Sequence, residues 1–268
     1  MYAKNETEVS HRYLSRLATD LTAEYCLIGG WAVYYTVASA YAKEVGREYL
    51  GSRDIDIGLR DVAAFKKANS FILGGLRFES LSFRYVKYLD YDTGRELSKE
   101  EATRLPSHSL FHMYIDLLLP VVNTDTTEQL GFTPPDEPLL TKLFQENGFS
   151  RKVPIGDLIV TMPTPALLLA MKLHSVGNRG MDDKRVKDVC DIAALCLYSG
   201  EKLAIVIENA LSLCDAGKIR KAASQVTRTD VAQAAIATGI QVDTVSALMG
   251  RLGVLAAGHG QGNWPHNS

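Results

Sequence analysis

The hydrophobic and polar positions along the chain predict alternating short strands and amphipathic helices. Between Glu6 and Thr22 the apolar residues Val9, Tyr13, Leu14, Leu17 and Leu21 recur at three- and four-residue intervals, which is helical spacing. Tyr25 to Ile28 is a short apolar run that ends at Gly29-Gly30 and passes into a second helical pattern, Trp31 to Lys43. In Asp54 to Leu59 charged and apolar residues alternate at period two, which predicts a strand neighbouring the first. Asp61 then stands as N-cap to a helix running to about Leu73, and Leu76–Glu79 and Phe83–Tyr88 read as strands. Asp90 to His112 is polar and reads as an insertion, with a turn at Asp92-Thr93-Gly94 and a capping box beginning at Ser98.

Met113 to Pro120 predicts a buried strand interrupted by one carboxylate, Asp116. Pro120 to Pro138 reads as a loop, Leu139 to Gln145 as a short helix and Ile155 to Val160 as an edge strand. Thr164-Pro165 opens a helix with proline at its first position, running to Val176 and broken by Gly177 to Gly180. A further helix spans Asp183 to Leu195, and Glu201 to Leu255 is helical. Residues 228–255 resemble a helix-turn-helix, but the second helix carries little beyond Arg251 to read a groove, so packing or substrate positioning is the preferred reading. The fold class expected is α/β (α+β), a mixed sheet flanked by helices and followed by a helical region. The expected divisions are a catalytic domain at 1–135, a mainly helical domain at 136–257 and a disordered Gly-rich tail at 258–268.

Composition narrows the function without naming it. Of 268 residues, 46% are hydrophobic and 22% charged, the balance of a globular protein with ample core. A net charge of −2 argues against indiscriminate coating of nucleic acid while permitting a local basic patch. Cys26, Cys190, Cys196 and Cys214 lack metal-ligand spacing and sit in apolar surroundings, so they are expected to be buried free thiols. The polar N-terminus and the lack of a long apolar run predict a cytoplasmic protein with no membrane partner.

The chemistry concentrates in two blocks. Asp54 and Asp56 project from one face of a strand, and two adjacent carboxylates repel unless a cation sits between them. A hard divalent cation with oxygen ligands is a common solution. The Gly29-Gly30 turn lets backbone approach a ligand closely and aims helix N-terminal amides at it, as phosphates require. An ionised Asp116 in an apolar strand is costly unless paired or cation-bound. Together these point to metal-assisted phosphoryl or nucleotidyl transfer.

Gly29-Gly30 followed by Asp54-Ile55-Asp56 resembles the signature of the DNA polymerase β-like nucleotidyltransferases, although the spacer here is longer than usual in that superfamily. The resemblance implies an enzyme that moves a nucleotide from an NTP to a hydroxyl with two Mg²⁺ ions. Asp54, Asp56 and Asp116 would be the catalytic and metal-binding carboxylates. Ser52 and Arg53 flank them, and Arg53 is read either as a phosphate contact or as a balance to local negative charge. The later block, with Lys172, Arg179, Lys187-Asp188 and Asp191-Ile192, resembles the AbiEii-like toxin nucleotidyltransferases of toxin–antitoxin systems. By that resemblance Lys172, Arg179 and Lys187 would contact the triphosphate, with Asp188 and Asp191 holding those cations. It also implies RNA, such as tRNA, as an acceptor and an antitoxin as a partner. With Lys184 and Arg185, the three cations would form one side of a basic groove.

Other readings remain open at this point. An ordinary solvated helix face would equally explain Lys184 and Asp188. A small-molecule, aminoglycoside-type nucleotidyltransferase and a non-catalytic DNA-binding regulator on the same fold are the alternative functions. His108 and His112, four apart, would suit a metal on a helix, but Pro106 and the lack of a third ligand favour a loop. Trp31 is expected to pack in the core rather than stack on a base.

Overall fold

The computed structural model describes residues 3–180 and 182–255, and the chain divides into two compact units. The first unit takes residues 2–38 and 49–164 and contains both sheets, and the second takes residues 39–48 and those from Pro165 onward.

In the first unit α1 (Lys4–Asp20) buries the predicted stripe Val9, Tyr13, Leu14 and Leu17. β1 (Tyr25–Ile28) runs directly into α2 (Gly29–Val45), so the helix begins on the glycines themselves. β2 (Ile55–Leu59) is followed by α3 (Val62–Ser70), whose N-cap Asp61 accepts a hydrogen bond from the Ala64 amide at 2.8 Å. A π-helical turn, Phe71–Gly75, leads to β3 (Glu79–Leu81) and β4 (Arg84–Asp90). The stretch expected to be a strand from Leu76 therefore becomes one only at Glu79, because the helix ends in a wider π-turn and Arg77 takes a φ of 57°.

The polar stretch after Asp90 holds β5 (Glu96–Leu97) and α4 (Lys99–Arg104), with the Ser98/Glu101 capping box formed as predicted. Leu97 and Ala102 are buried, so this stretch contributes to the core and is not a mere insertion. β6 (Leu110–Leu118) starts earlier than expected, and His112 lies on the strand. The expected loop after Pro120 contains α5 (Thr124–Leu130), capped by Asn123, and α6 (Leu140–Gln145) follows. The expected edge strand at 155–160 is the turn of a hairpin, β7 (Ser150–Ile155) and β8 (Leu158–Pro163). Gly156 at φ 58° supplies the first residue of its two-residue loop, a position that disfavours a side chain.

The main sheet has the order β1-β2-β6-β4-β3, with β5 on β4. β2 and β6 are parallel, and the other neighbours on this path are antiparallel. Ile55, Ile57, Phe111, Met113, Ile115 and Leu117 form one buried face. The opposite face carries Asp56 on β2 and His112, Tyr114 and Asp116 on β6, all of them partly exposed. Further along β2 this second face is covered. A Cβ on Gly58 would meet Leu140 Cδ2 at 2.5 Å, which places α6 directly on the strand two residues beyond Asp56.

The second unit is helical. It contains α7 (Pro165–Val176), α8 (Asp182–Tyr198), α9 (Leu203–Leu213), α10 (Ala216–Gln225), α11 (Arg228–Thr238) and α12 (Val242–Arg251). α7 is buried almost all round, with Leu167, Leu168, Leu169, Ala170 and Leu173 fully inaccessible. Thr227 and Asp230 close a capping box at the start of α11. The four cysteines are free thiols; Cys26, Cys190 and Cys196 are buried and Cys214 is partly so. Burial pushes the Cys190 thiol up to about 12. Among the described residues no helix is long and apolar enough to cross a membrane. The expected tail at 258–268 lies outside the described residues.

Candidate active site

The open face of the main sheet brings four residues into one row. Ile28 on β1 registers with Asp56 on β2, Asp56 with Asp116 on β6, and Asp116 with Arg84 on β4. Alternation places all four side chains on the same face. Asp116 therefore stands beside Asp56, and Asp54 lies just before β2. The two halves of the Asp-x-Asp motif and the third carboxylate thus belong to one neighbourhood, with side chains of Asp54 and Asp116 13% and 17% exposed.

Gly29 explains how Asp56 is placed. The residue sits at φ 65°, and an added Cβ would fall 1.9 Å from Asp56 Oδ2. The carboxylate occupies the space a side chain would take, at the first residue of α2. A helix N-terminus stabilises an adjacent negative charge.

Sequence reasoning missed Arg84. Its Nε and Nη2 donate to the two oxygens of Asp116, both at 2.7 Å, and Nη2 lies 3.8 Å from Asp54 Oδ2. The guanidinium carbon is 4.1 Å from the centre of the Tyr114 ring, a cation–π distance. Desolvation works against the charged guanidinium. The Asp116 hydrogen bonds and the charges of Asp116, Asp54 and Asp56 outweigh it, and the group is held above its ordinary value. Adjacent carboxylates demand a cation, and Arg84 supplies one through the pairing of β4 with β6.

The neighbouring residues divide clearly. Ser52 donates to the Asp54 carbonyl at 2.9 Å, and Arg53 Nη1 lies 3.9 Å from Glu6 Oε1. Trp31 is buried, and its indole N–H donates to Ser10 at 2.9 Å, which is a packing role. His112 stacks on Tyr114 and meets Tyr88 edge-on, so the rings continue the open face beyond the carboxylates. Burial and the Arg53 charge lower the His112 imidazole below its usual value.

The oxygen-only donors Asp54, Asp56 and Asp116 suit a hard cation in chemistry. Among the described residues no group of three His, Cys, Asp or Glu side chains is assembled to hold a metal by itself. Magnesium is ordinarily held by one or two carboxylates together with substrate phosphates, and Asp54 and Asp56 beside the Gly-Gly turn fit that arrangement.

In the second unit the residues of the later block form a buried network. Lys172 Nζ lies 2.8 Å from both Asp188 Oδ1 and Asp191 Oδ2, and Lys187 Nζ lies 2.5 Å from Asp191 Oδ1. Arg179 Nε reaches Asp188 Oδ2 at 2.6 Å, and the Ser175 hydroxyl donates to the same oxygen at 3.1 Å. Asp188 and Asp191 are 1% and 0% exposed, which overturns the solvated-face alternative for Asp188. Burial raises the Asp188 carboxyl, but Lys172 and Arg179 outweigh it and bring it to about 2. Burial disfavours the Lys172 ammonium, yet Asp188 and Asp191 hold it well above the usual lysine range.

The basic groove expected from this block is not what these side chains form. Lys172 and Lys187 are buried on carboxylates, and Arg185 forms a fork with Asp230, Nε to Oδ2 at 2.8 Å and Nη2 to Oδ1 at 3.1 Å. On α12 the exposed positions Val242, Asp243, Ala247 and Arg251 carry one charge of each sign. That is little for a groove-reading helix.

A solved structure described as an antigenic nucleotidyltransferase-like protein from Paracoccidioides brasiliensis is similar to this chain. The TM-score is 0.39 at 13% identity, over 88% of this chain and 94% of that one. No family profile and no curated protein matches the chain.

Proposed function

We propose that the chain is a Mg²⁺-dependent nucleotidyltransferase that moves a nucleoside monophosphate from an NTP to a hydroxyl of an RNA acceptor, tRNA included. One observation carries the reading. Asp56 and Asp116 stand side by side on parallel neighbouring strands, with Asp56 against the glycine that opens α2. A paired carboxylate site beside a helix N-terminus is the constellation that nucleotidyl transfer uses.

In this reading Asp54 and Asp56 would hold two magnesium ions, one of them shared with Asp116, and the backbone of Gly29 and Gly30 would hold the β- and γ-phosphates. Bound there, the metal neutralises the phosphate charge and polarises the transferred group. Asp116 orients the acceptor hydroxyl and takes up its proton as oxygen bonds to the α-phosphorus and pyrophosphate leaves. Positioning and charge neutralisation supply most of the acceleration in such chemistry. Tyr88, His112 and Tyr114, partly exposed on the same face, support an RNA acceptor, because unpaired bases stack on such rings.

Incubation with each α-³²P-NTP, Mg²⁺ and total tRNA tests the proposal, with Asp56→Asn alongside. Label from one nucleotide on RNA, absent from the variant, is expected. Label on the protein itself moves the acceptor to a protein hydroxyl, and absence of Mg²⁺-dependent label on either overturns the reading.

A further inference from the structure

We propose that Arg84 is an internal counter-cation that occupies the third carboxylate and competes with the divalent cation for it. The inference rests on the nucleotidyltransferase reading and adds a regulation of that site. Both oxygens of Asp116 accept from one guanidinium, at 2.7 Å each, and the same group reaches within 3.8 Å of Asp54. A bidentate fork is the strongest hydrogen-bonded pairing available to a carboxylate, and it uses the in-plane lone pairs a metal would need. The Tyr114 ring backs the guanidinium at 4.1 Å and fixes its plane. The side chain is 21% exposed, so part of its charge is withdrawn from water and the carboxylates are its principal solvation.

The competition has a consequence for order of binding. With Asp116 held by Arg84, a lone cation would lose one of the three carboxylates, which weakens its binding. A nucleotide brings phosphate oxygens that complete the coordination, and its negative charge gives the displaced guanidinium a new partner. Arg84 thereby makes metal binding conditional on nucleotide. In the free protein it also relieves the repulsion among Asp54, Asp56 and Asp116.

Mn²⁺ serves as the probe, with free ion measured by electron paramagnetic resonance during titration of the full-length protein without nucleotide. Arg84→Gln removes the charge and the fork, and Arg84→Lys keeps the charge but loses the fork. Thermal melts establish that each variant is folded, and Arg84→Lys carries the test if Arg84→Gln does not fold. Mn²⁺ affinity is expected to rise about tenfold or more in Arg84→Gln and by less in Arg84→Lys. Adding a non-hydrolysable NTP analogue should narrow the difference between wild type and variants. Unchanged or weaker Mn²⁺ binding in the folded variants, while wild type binds Mn²⁺ with the analogue, overturns the competition and leaves the enzyme reading standing. No Mn²⁺ binding by wild type with the analogue overturns both.

Discussion

Asp56 Oδ2 lies where the β-carbon of residue 29 would be, 1.9 Å from the ideal position, so Gly29 and Asp56 form one unit of the site. The glycine is required twice, by its φ of 65° and by the carboxylate that fills its missing side chain.

Gly29→Ala is therefore expected to cost about 1–3 kcal/mol from backbone strain alone. Displacement of Asp56 adds to that and should remove nucleotidyl transfer. Calorimetry and the labelling assay read the two effects separately.

Lys172→Met would leave Asp188 and Asp191 buried and short of one cation. Removing one partner of such a network costs about 3–5 kcal/mol. A fall of that size is expected in calorimetry of the full chain.

His174 supplies a pH dependence. Its Nε2 accepts the Asp215 amide at 3.1 Å, so the neutral ring carries its proton on Nδ1. Burial first, then the Lys218 charge, lowers the imidazole to about 4, against a partial opposing pull from Asp215. The unfolded chain, with an ordinary value near ~6.5, takes up a proton before the folded one does. Stability is thus complete above about pH 6.5 and falls as pH drops towards 4, with a limiting slope of about 1.4 kcal/mol per pH unit. His174→Gln should flatten melting temperature across that window.

Asp188 acts in a lower window. Its folded value near 2 lies below the roughly 3.9 of an unfolded aspartate, so its stabilisation is present above about pH 4 and is lost as pH falls towards 2. Asp188→Asn should lower melting temperature at neutral pH and reduce the additional fall between pH 4 and 2.

Much of this architecture was legible in the chain because the local signals agreed with the tertiary ones. β1 begins and ends where its apolar run does, and Pro165 opens α7 as a first-turn proline should. α5 escaped because Asn123 and Gly131, which cap it, also read as turn residues in a Thr- and Asp-rich stretch. The hairpin at Gly156 reads as a single strand in the sequence because its apolar residues continue through the turn. In the site, the demand for a cation beside the carboxylates was written in Asp54, Asp56 and Asp116. That Arg84 supplies one depends on the pairing of β4 with β6, which no local pattern encodes. The same limit hid Asp230, whose capping role is local but whose fork with Arg185 joins α11 to α8.

The parallel pairing of β2 with β6 sets when the site can come into being. Two parallel strands cannot be closed by a tight turn, and everything from α3 to α4 lies between these two. Closing so long a loop carries an entropic cost before any contact repays it. Asp56 and Asp116 are therefore expected to meet late in folding, after β4 has already delivered Arg84. Partly folded chains would then be spared the repulsion of the assembled carboxylates, and a chain still emerging from the ribosome would have no site to misuse.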